Sequence, residues 1–317
     1  MLERSEMLSK IKYVVDNSKS VNINRHAIKN VISLLSESKK EPWLNSDYLD
    51  LDKYTTREIM IYLILCESLN FCYWGSSPKW KIEYKGNWYS GSFGLFYSIS
   101  KAINNGYDLL NLDYLEEIEI ETLNEIFKGT TSIPLLEERF NILKILVKEL
   151  KSIEDIESLF NVSTDVELLN VIVNSFSNFR DISIYKGKKI YFFKRAILLV
   201  SDLISNIDYI RRNVENDDNM LGCADYKIPQ VLRQLEILTY SERLSNIIDN
   251  KKQLEHDSEV EIEIRANMLC AIELIKEDLK KANIKMNSLQ IDNALWMLSK
   301  NDEFKNKPHH LTETIYY

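Results

Sequence analysis

Tyr191-Phe192-Phe193-Lys194-Arg195-Ala196 and Ala224-Asp225-Tyr226-Lys227-Ile228-Pro229-Gln230-Val231-Leu232-Arg233 bracket the stretch from which the rest of the chain is read. Two charged residues, Lys194 and Asp225, each stand in an apolar or aromatic setting. Burying an ammonium or a carboxylate is costly unless the group is paired and hydrogen-bonded. A chain carries that cost for a structural ion pair or for chemistry. The spacing of apolar residues predicts helices over 194–206 and 229–235. Asp225 then lies in the turn that leads into the second helix, with Pro229 at its start.

Outward from this stretch the pattern stays helical. The 317 residues include 8 Gly and 5 Pro, too few turn formers for many short strands. Helices are expected over both halves of 1–38, with Val21-Asn22-Ile23-Asn24 between them. Thr55-Thr56-Arg57-Glu58 reads as a capping box that opens a buried helix. A helix begins at Ser90-Gly91-Ser92-Phe93-Gly94 and runs to Asn105, and the acidic segment 107–128 is helical. A long helix follows the loop Thr130-Thr131-Ser132-Ile133-Pro134, and further helices cover 154–160, 166–176, 259–281 (amphipathic) and 289–298. Two β-hairpins are expected, over 80–89 with a turn at Lys85-Gly86-Asn87 and over 181–192 with a turn at Lys186-Gly187-Lys188. Residues 213–219 read as a surface loop, and the aromatic tail through Ile315-Tyr316-Tyr317 as docked. No repeat or linker divides the chain. The expected fold class is mainly α with one or two small β-hairpins, in a single domain over 1–317 or in two helical lobes with the site between them.

Composition excludes several function classes. The formal charge of −8 disfavours duplex nucleic acid as a partner. No uncharged apolar run reaches membrane-spanning length, and residues 1–16 have no signal-like apolar core. The cysteines Cys66, Cys72, Cys223 and Cys270 match no disulfide or metal framework, and a cytoplasmic setting is expected. The histidines His26, His256, His309 and His310 have no ligand-like partners at helical spacing, so no metal is expected.

Several residues remain open on their own. Leu69-Asn70-Phe71-Cys72-Tyr73-Trp74 is either core or a stacking platform for a flat ligand, and core is the stronger reading. Asp225 reads as the N-cap of the helix that follows it, more readily than as a reactive acid. Lys194 reads equally as a snorkelling side chain at a helix start. Arg195 is expected to be solvated or structural.

An ordered set of motifs adds to this reading. Leu69-Asn70-Phe71 with Trp74, Tyr89-Ser90-Gly91, Ile133-Pro134-Leu135-Leu136-Glu137-Glu138-Arg139 and Phe179-Arg180-Asp181 come first. Phe193-Lys194-Arg195-Ala196, Ala224-Asp225-Tyr226-Lys227-Ile228-Pro229-Gln230-Val231-Leu232, Glu263-Ile264-Arg265, Leu295-Trp296 and Ile315-Tyr316-Tyr317 follow. Together they resemble the queuosine salvage family, the queuosine 5′-phosphate N-glycosylases, over nearly the whole chain. The resemblance implies a helical fold akin to helix-hairpin-helix DNA glycosylases. It also implies hydrolysis of queuosine 5′-monophosphate to queuine and ribose 5-phosphate, with no metal or cofactor. The chain departs from the family pattern at Cys223, where Phe is usual, at Ile197, where Gln is frequent, and at Met297, where Asp is usual.

What the resemblance implies for chemistry is specific. Cleavage of an N-glycosidic bond builds positive charge on the ribose, and a carboxylate beneath the sugar can stabilise that charge, attack it or activate water. Asp225 takes that part. Lys194 binds the 5′-phosphate or keeps Asp225 ionised. Phe71, Tyr73, Trp74 and Tyr226 stack on the flat base. Asp292 accepts from its Watson–Crick edge or pairs with the cationic amine of its side arm. Asn70, Asp202, Cys223 and Trp296 complete the substrate-binding set. The expected partner is a small nucleotide. The rival readings are a non-catalytic binding protein for a 7-deazaguanine base or nucleotide, and a helical interaction module whose aromatic clusters are core.

Overall fold

The computed structural model of the protein describes residues 2–36, 48–215 and 220–317. In chain order its elements are α1 (Arg4–Asn17), β1 (Val21–Ile23), α2 (Lys29–Ser36), α3 (Thr56–Ser68), β2 (Ile82–Tyr84), β3 (Asn87–Tyr89), α4 (Gly91–Asn104), α5 (Leu112–Glu117), α6 (Ile120–Ile126) and α7 (Leu136–Lys151). They continue with α8 (Ile156–Leu159), α9 (Asp165–Ser175), β4 (Ile182–Tyr185), β5 (Lys188–Tyr191), α10 (Lys194–Asn206), α11 (Asp208–Asn213), α12 (Lys227–Gln234), β6 (Leu238–Tyr240), α13 (Glu242–Asp249), α14 (Glu259–Lys281) and α15 (Ser288–Leu298). The fold is mainly helical, with small antiparallel strand pairs.

Both expected hairpins form, β2 with β3 and β4 with β5. A third pair joins β1 to β6, with Asn22 opposite Thr239. Of the stretch 21–24, read above as a link between helices, residues 21–23 therefore form a strand. Its partner lies more than two hundred residues away, so no local pattern announces it. The segment 107–128 is two helices, α5 and α6. Of the expected loop 213–219, residues 216–219 lie outside the described residues.

The chain divides into two compact units, formed by the described residues of Met1–Trp43, Asp181–Ile197 and Asn216–Thr314 and by those of Leu44–Arg180, Leu198–Glu215 and Ile315–Tyr317. The first unit is built on α14, against which α1, α2, α12, α15 and the strands β1, β4 and β6 pack. Every residue of α14 from Glu261 to Ile272 is buried. The expected amphipathic character thus fails in the middle of this helix, because its charged residues have partners inside. Glu263 accepts the N–H groups of Lys19 at 3.0 Å and Ser20 at 2.7 Å and the Tyr185 hydroxyl at 3.0 Å. Three donors replace the water that this carboxylate gives up.

In the second unit α3 packs against α4, α7 and α8. Thr55 and Glu58 form the expected capping box, and the residues from Met60 to Ser68 are all buried. The loop after α3 is held by Arg139 of α7. Its guanidinium donates to the carbonyls of Phe71 and Cys72 and lies over the Phe71 ring, 4.1 Å from the centroid. The tail is docked as expected: Tyr317 is buried, and its carbonyl accepts the N–H of Cys72 at 2.9 Å. Trp80 is fully buried, and its indole N–H reaches the Phe127 carbonyl at 2.8 Å.

Gly129 makes this packing possible. A Cβ there would lie 2.2 Å from the Lys81 carbonyl oxygen, a backbone atom that no rotamer change can move. Gly129→Ala is expected to destabilise the protein by roughly 3 kcal/mol or more, read as a lower Tm in calorimetry. Wild-type stability in that variant would show that the 80–81 and 127–130 segments are not in this contact.

Candidate active site

The site is assembled in the first unit from two turns and one helix. The β4–β5 hairpin closes on Asp181, whose carbonyl accepts the N–H groups of Phe192 at 3.0 Å and Phe193 at 3.3 Å. Phe193 has φ +49°, a left-handed conformation that is costly for an aromatic residue. Its burial and this hydrogen bond hold it there, and the bend sets the direction in which α10 starts. Lys194 is the first residue of that helix, and its N–H lies 3.5 Å from Asp181 Oδ2.

Asp181 is itself gripped by Arg265 of α14. The two guanidinium nitrogens reach its two carboxylate oxygens at 3.1 and 2.5 Å. The same guanidinium lies over the Phe192 ring at 3.9 Å, and its Nε donates to the Ala224 carbonyl at 3.3 Å. Arg265 therefore ties the Lys194 turn to the Asp225 turn. Both ions of the pair are buried, so a bidentate geometry is what makes the pair tolerable.

After Ala224 the chain turns tightly, with the N–H of Asp225 on the Cys223 carbonyl at 2.7 Å. Asp225 Oδ1 accepts the N–H groups of Lys227 and Ile228, each at 2.9 Å. The capping reading of this residue is thus correct for one oxygen. Capping from Asp225 starts α12 at Lys227, two residues before the expected start, and Pro229 falls in the first turn, where its missing N–H is harmless. Oδ2 makes no hydrogen bond among the described residues. Burial raises the pKa of Asp225, opposed by the Ile228 N–H, the charge of Lys194 and the Lys227 N–H.

Asp292 of α15 joins this group. Its Oδ1 accepts the Cys223 N–H at 2.7 Å. Burial, and secondarily the charge of Asp225, push its pKa well above the usual carboxylate value, against the Cys223 N–H and Lys194. The buried ammonium of Lys194 thus acts on both carboxylates. Gly222 lets Asp292 approach: a Cβ there would meet Asp292 Oδ1 at 2.9 Å and Ile272 Cδ1 at 2.7 Å. Tyr226 is half-buried and packs on His309, with ring centroids 4.7 Å apart. Trp296 lies one helical turn after Asp292, with Lys300 Nζ 3.5 Å from its ring centroid. Met297 is 48% exposed. The family departure at Cys223 leaves the bond to Asp292 intact, since a backbone N–H makes it.

The remaining sequence candidates belong to the second unit. Asn70 is buried, and its amide is engaged there: Nδ2 donates to Glu67, and Oδ1 accepts from Tyr73 at 2.9 Å and Ser92 at 2.8 Å. Phe71 and Tyr73 are buried beside Arg139, as the core reading expects, while Trp74 is half-buried. Asp202 is buried on α10. Arg195, expected to be solvated or structural, is buried, so solvation is ruled out.

Four residues of the site were given no role from sequence: Asp181, Arg265, Gly222 and His309. A signal existed for Arg265, a charge flanked by apolar residues in Ile264-Arg265-Ala266, and a weaker one for Asp181, which follows Arg180 and precedes Ile182. Gly222 and His309 carry no local signal. The structure also gives one histidine ligand-like neighbours, contrary to the reading from spacing. His256, Asp257 and Glu261 bring one ligand atom each within 4.8 Å of one another. Arg265 lies 3.7 Å from Glu261 and supplies positive charge there already.

Fold and site together define a mainly helical protein in which two buried carboxylates and a buried lysine meet at the start of a capped helix. The family model described as queuosine salvage protein matches residues 51–317, and the chain belongs to this family. It is 30% identical to the queuosine 5′-phosphate N-glycosylase/hydrolase of Sphaerobacter thermophilus, over 99% of this chain and 98% of that protein. It is 30% identical to the protein of the same name from Nematostella vectensis, over 96% of each chain. To that of Bos taurus it is 28% identical, over 96% of this chain and 97% of the relative. No helix among the described residues is long and apolar enough to cross a membrane.

Two predictions follow from the buried charges. His310 is buried, and burial, with the charges of His309 and Arg265, lowers its pKa from 6.5 to about 3. The unfolded chain binds a proton below pH 6.5 that the native state refuses, so stability is lost as pH falls from 6.5 towards 3. His310→Gln is expected to flatten the dependence of Tm on pH across that window, and an unchanged slope would assign the acid sensitivity elsewhere. Asp292 has the opposite sign: a raised carboxylate pKa removes stability as pH rises above the unfolded value of 3.8. Asp292→Asn keeps an acceptor for the Cys223 N–H and is expected to raise Tm at pH 8 while activity falls. A lower Tm would mean that the charge itself supports the fold.

Proposed function

We propose that this chain hydrolyses the N-glycosidic bond of queuosine 5′-phosphate and releases queuine and ribose 5-phosphate, with Asp225 as the central acid. Membership of the queuosine salvage family supports the reaction. One observation supports the residue. The Asp225 carboxylate is buried and aimed by two backbone N–H groups on Oδ1, while Oδ2 stays out of the internal hydrogen bonding. A carboxylate held in this way needs no reorganisation when a cation forms beside it.

As the bond from the base to C1′ breaks, its electron pair leaves with the base and positive charge develops on the ribose. Asp225 meets that charge. Water then adds across the broken bond, its oxygen to C1′ and one proton to the departing base. The charge of Lys194 opposes the effect of burial on Asp225 and favours its ionised form. Of the two acids, Asp292 is the one pushed further up, which favours its protonated form in the absence of substrate. The cationic amine of the substrate's side arm, placed beside Asp292, favours its ionised form. Tyr226 offers the face on which the base stacks, Cys223 borders the group through its N–H on Asp292, and a role for Trp296, one helical turn after Asp292, rests on the family resemblance. A role for Asn70, Phe71, Tyr73, Trp74 and Asp202 in binding rests on the family resemblance alone.

The same proposal extends to the setting. The helices follow the plan of helix-hairpin-helix DNA glycosylases, and 1–317 works as one N-glycosylase-like domain on a small nucleotide rather than on duplex nucleic acid. The enzyme is cytoplasmic in this reading, and its four buried cysteine thiols suit a reducing compartment.

Incubation with queuosine 5′-phosphate, followed by mass spectrometry, is expected to show free queuine. Binding without release would make the chain a non-catalytic binder of 7-deazaguanines. Asp225→Asn keeps the cap on α12 and is expected to lower kcat by about a thousandfold or more with Tm little changed. Turnover close to wild type in that variant would remove Asp225 from the mechanism.

A further inference from the structure

We propose that His309 is a positioning residue for this reaction and that it acts through Tyr226. The inference rests on the proposed N-glycosylase reading, in which the Tyr226 ring stacks on the base beside the Asp225 carboxylate. The backbone of Tyr226 is held in place, because the side chain of Asp225, just before it, accepts the N–H groups of Lys227 and Ile228, just after it. Its ring is only half-buried, and nothing in a cap fixes a side-chain torsion.

His309 supplies what the cap does not. Its ring packs on Tyr226 with centroids 4.7 Å apart and planes inclined by 40°. The segment that carries it is strapped to the elements around the site. Gln230 of α12 donates to the Lys307 carbonyl at 2.7 Å, and Lys307 Nζ reaches the Arg233 carbonyl at 3.4 Å. Beyond His309, the N–H of Leu254 donates to the Leu311 carbonyl at 2.8 Å. The imidazole is oriented within this strap. Its Nδ1 lies 2.8 Å from the His310 carbonyl, and a carbonyl only accepts, so Nδ1 carries the proton and the ring plane is set. The next residue, His310, is buried and anchors that carbonyl.

The strap therefore begins on α12, the helix that Asp225 caps, and ends with a flat ring against the residue next to Asp225. The arrangement fixes the tilt of the Tyr226 ring relative to the carboxylate. A base stacked on that ring is then presented with its glycosidic bond in one orientation. A flat face at position 309 is what this role needs, and a titrating group is not.

The test measures kcat and KM for queuosine 5′-phosphate in the full-length chain carrying His309→Ala, His309→Phe, Tyr226→Ala and the Tyr226→Ala/His309→Ala double substitution. His309→Ala is expected to raise KM about tenfold, the scale of one lost aromatic contact with its ordering. His309→Phe, which restores a flat face, is expected to recover most of that loss. In the Tyr226→Ala background the same His309→Ala change is expected to alter KM by less than about twofold, because its target is gone. If His309→Ala does not fold, His309→Leu fills the space without a flat face and takes its place. The proposal is overturned if the effect at 309 persists undiminished without the Tyr226 ring, or if Phe is as damaging as Ala or Leu in a folded chain. Absence of turnover by the unsubstituted chain would instead remove the N-glycosylase reading, and this role with it.

Discussion

The candidate site depends on the buried contact of Arg265 with Asp181, with Glu261 3.7 Å from the same guanidinium. Neither side chain reaches water, and the two meet through paired contacts of guanidinium and carboxylate. The pair has consequences in two directions. Through Asp181 it sets the turn that starts α10 at Lys194, and through the Nε bond to Ala224 it sets the turn that presents Asp225. Breaking one side of such a pair leaves a bare charge in the interior, on the order of 3–5 kcal/mol. That penalty makes the geometry of both turns stiff, which is what a preorganised acid needs.

Buried charge recurs throughout the chain, and the way it is satisfied separates structure from chemistry. Glu263 meets three donors, and Arg139 meets two carbonyls and two aromatic faces. These ions spend themselves on internal bonds and hold the fold. Asp225 spends one oxygen on the helix start and keeps the other. The ammonium of Lys194 makes no hydrogen bond among the described residues, yet its charge is felt by both carboxylates. Capacity left over beside a tight turn is what makes this group the candidate reaction site.

Asp225 also shows how a helix cap is compatible with the catalytic role proposed for it. A helix N-terminus offers fixed N–H groups, and an aspartate that accepts them is held in one rotamer. The cap is the device that aims the second oxygen. Asp292, by contrast, is held from the side by the Cys223 N–H and is crowded by a like charge, so the two acids sit in unequal environments. Unequal environments are how two identical functional groups take different protonation states at one pH.

The amino-acid order alone determined the helical class, the two local hairpins and the Thr55 capping box, because each rests on neighbours a few residues apart, and the apolar, aromatic composition of 315–317 announced a docked tail without naming its partner. It also singled out Lys194 and Asp225 as charges out of place. Only the tertiary structure decided the pairing of β1 with β6, the all-round burial in the middle of α14 and the convergence of Asp181, Arg265, Asp292 and His309 on one turn. Those contacts join residues tens to hundreds of positions apart. Periodicity reports which face of an element is apolar, whereas the partner that satisfies a buried charge is chosen by packing.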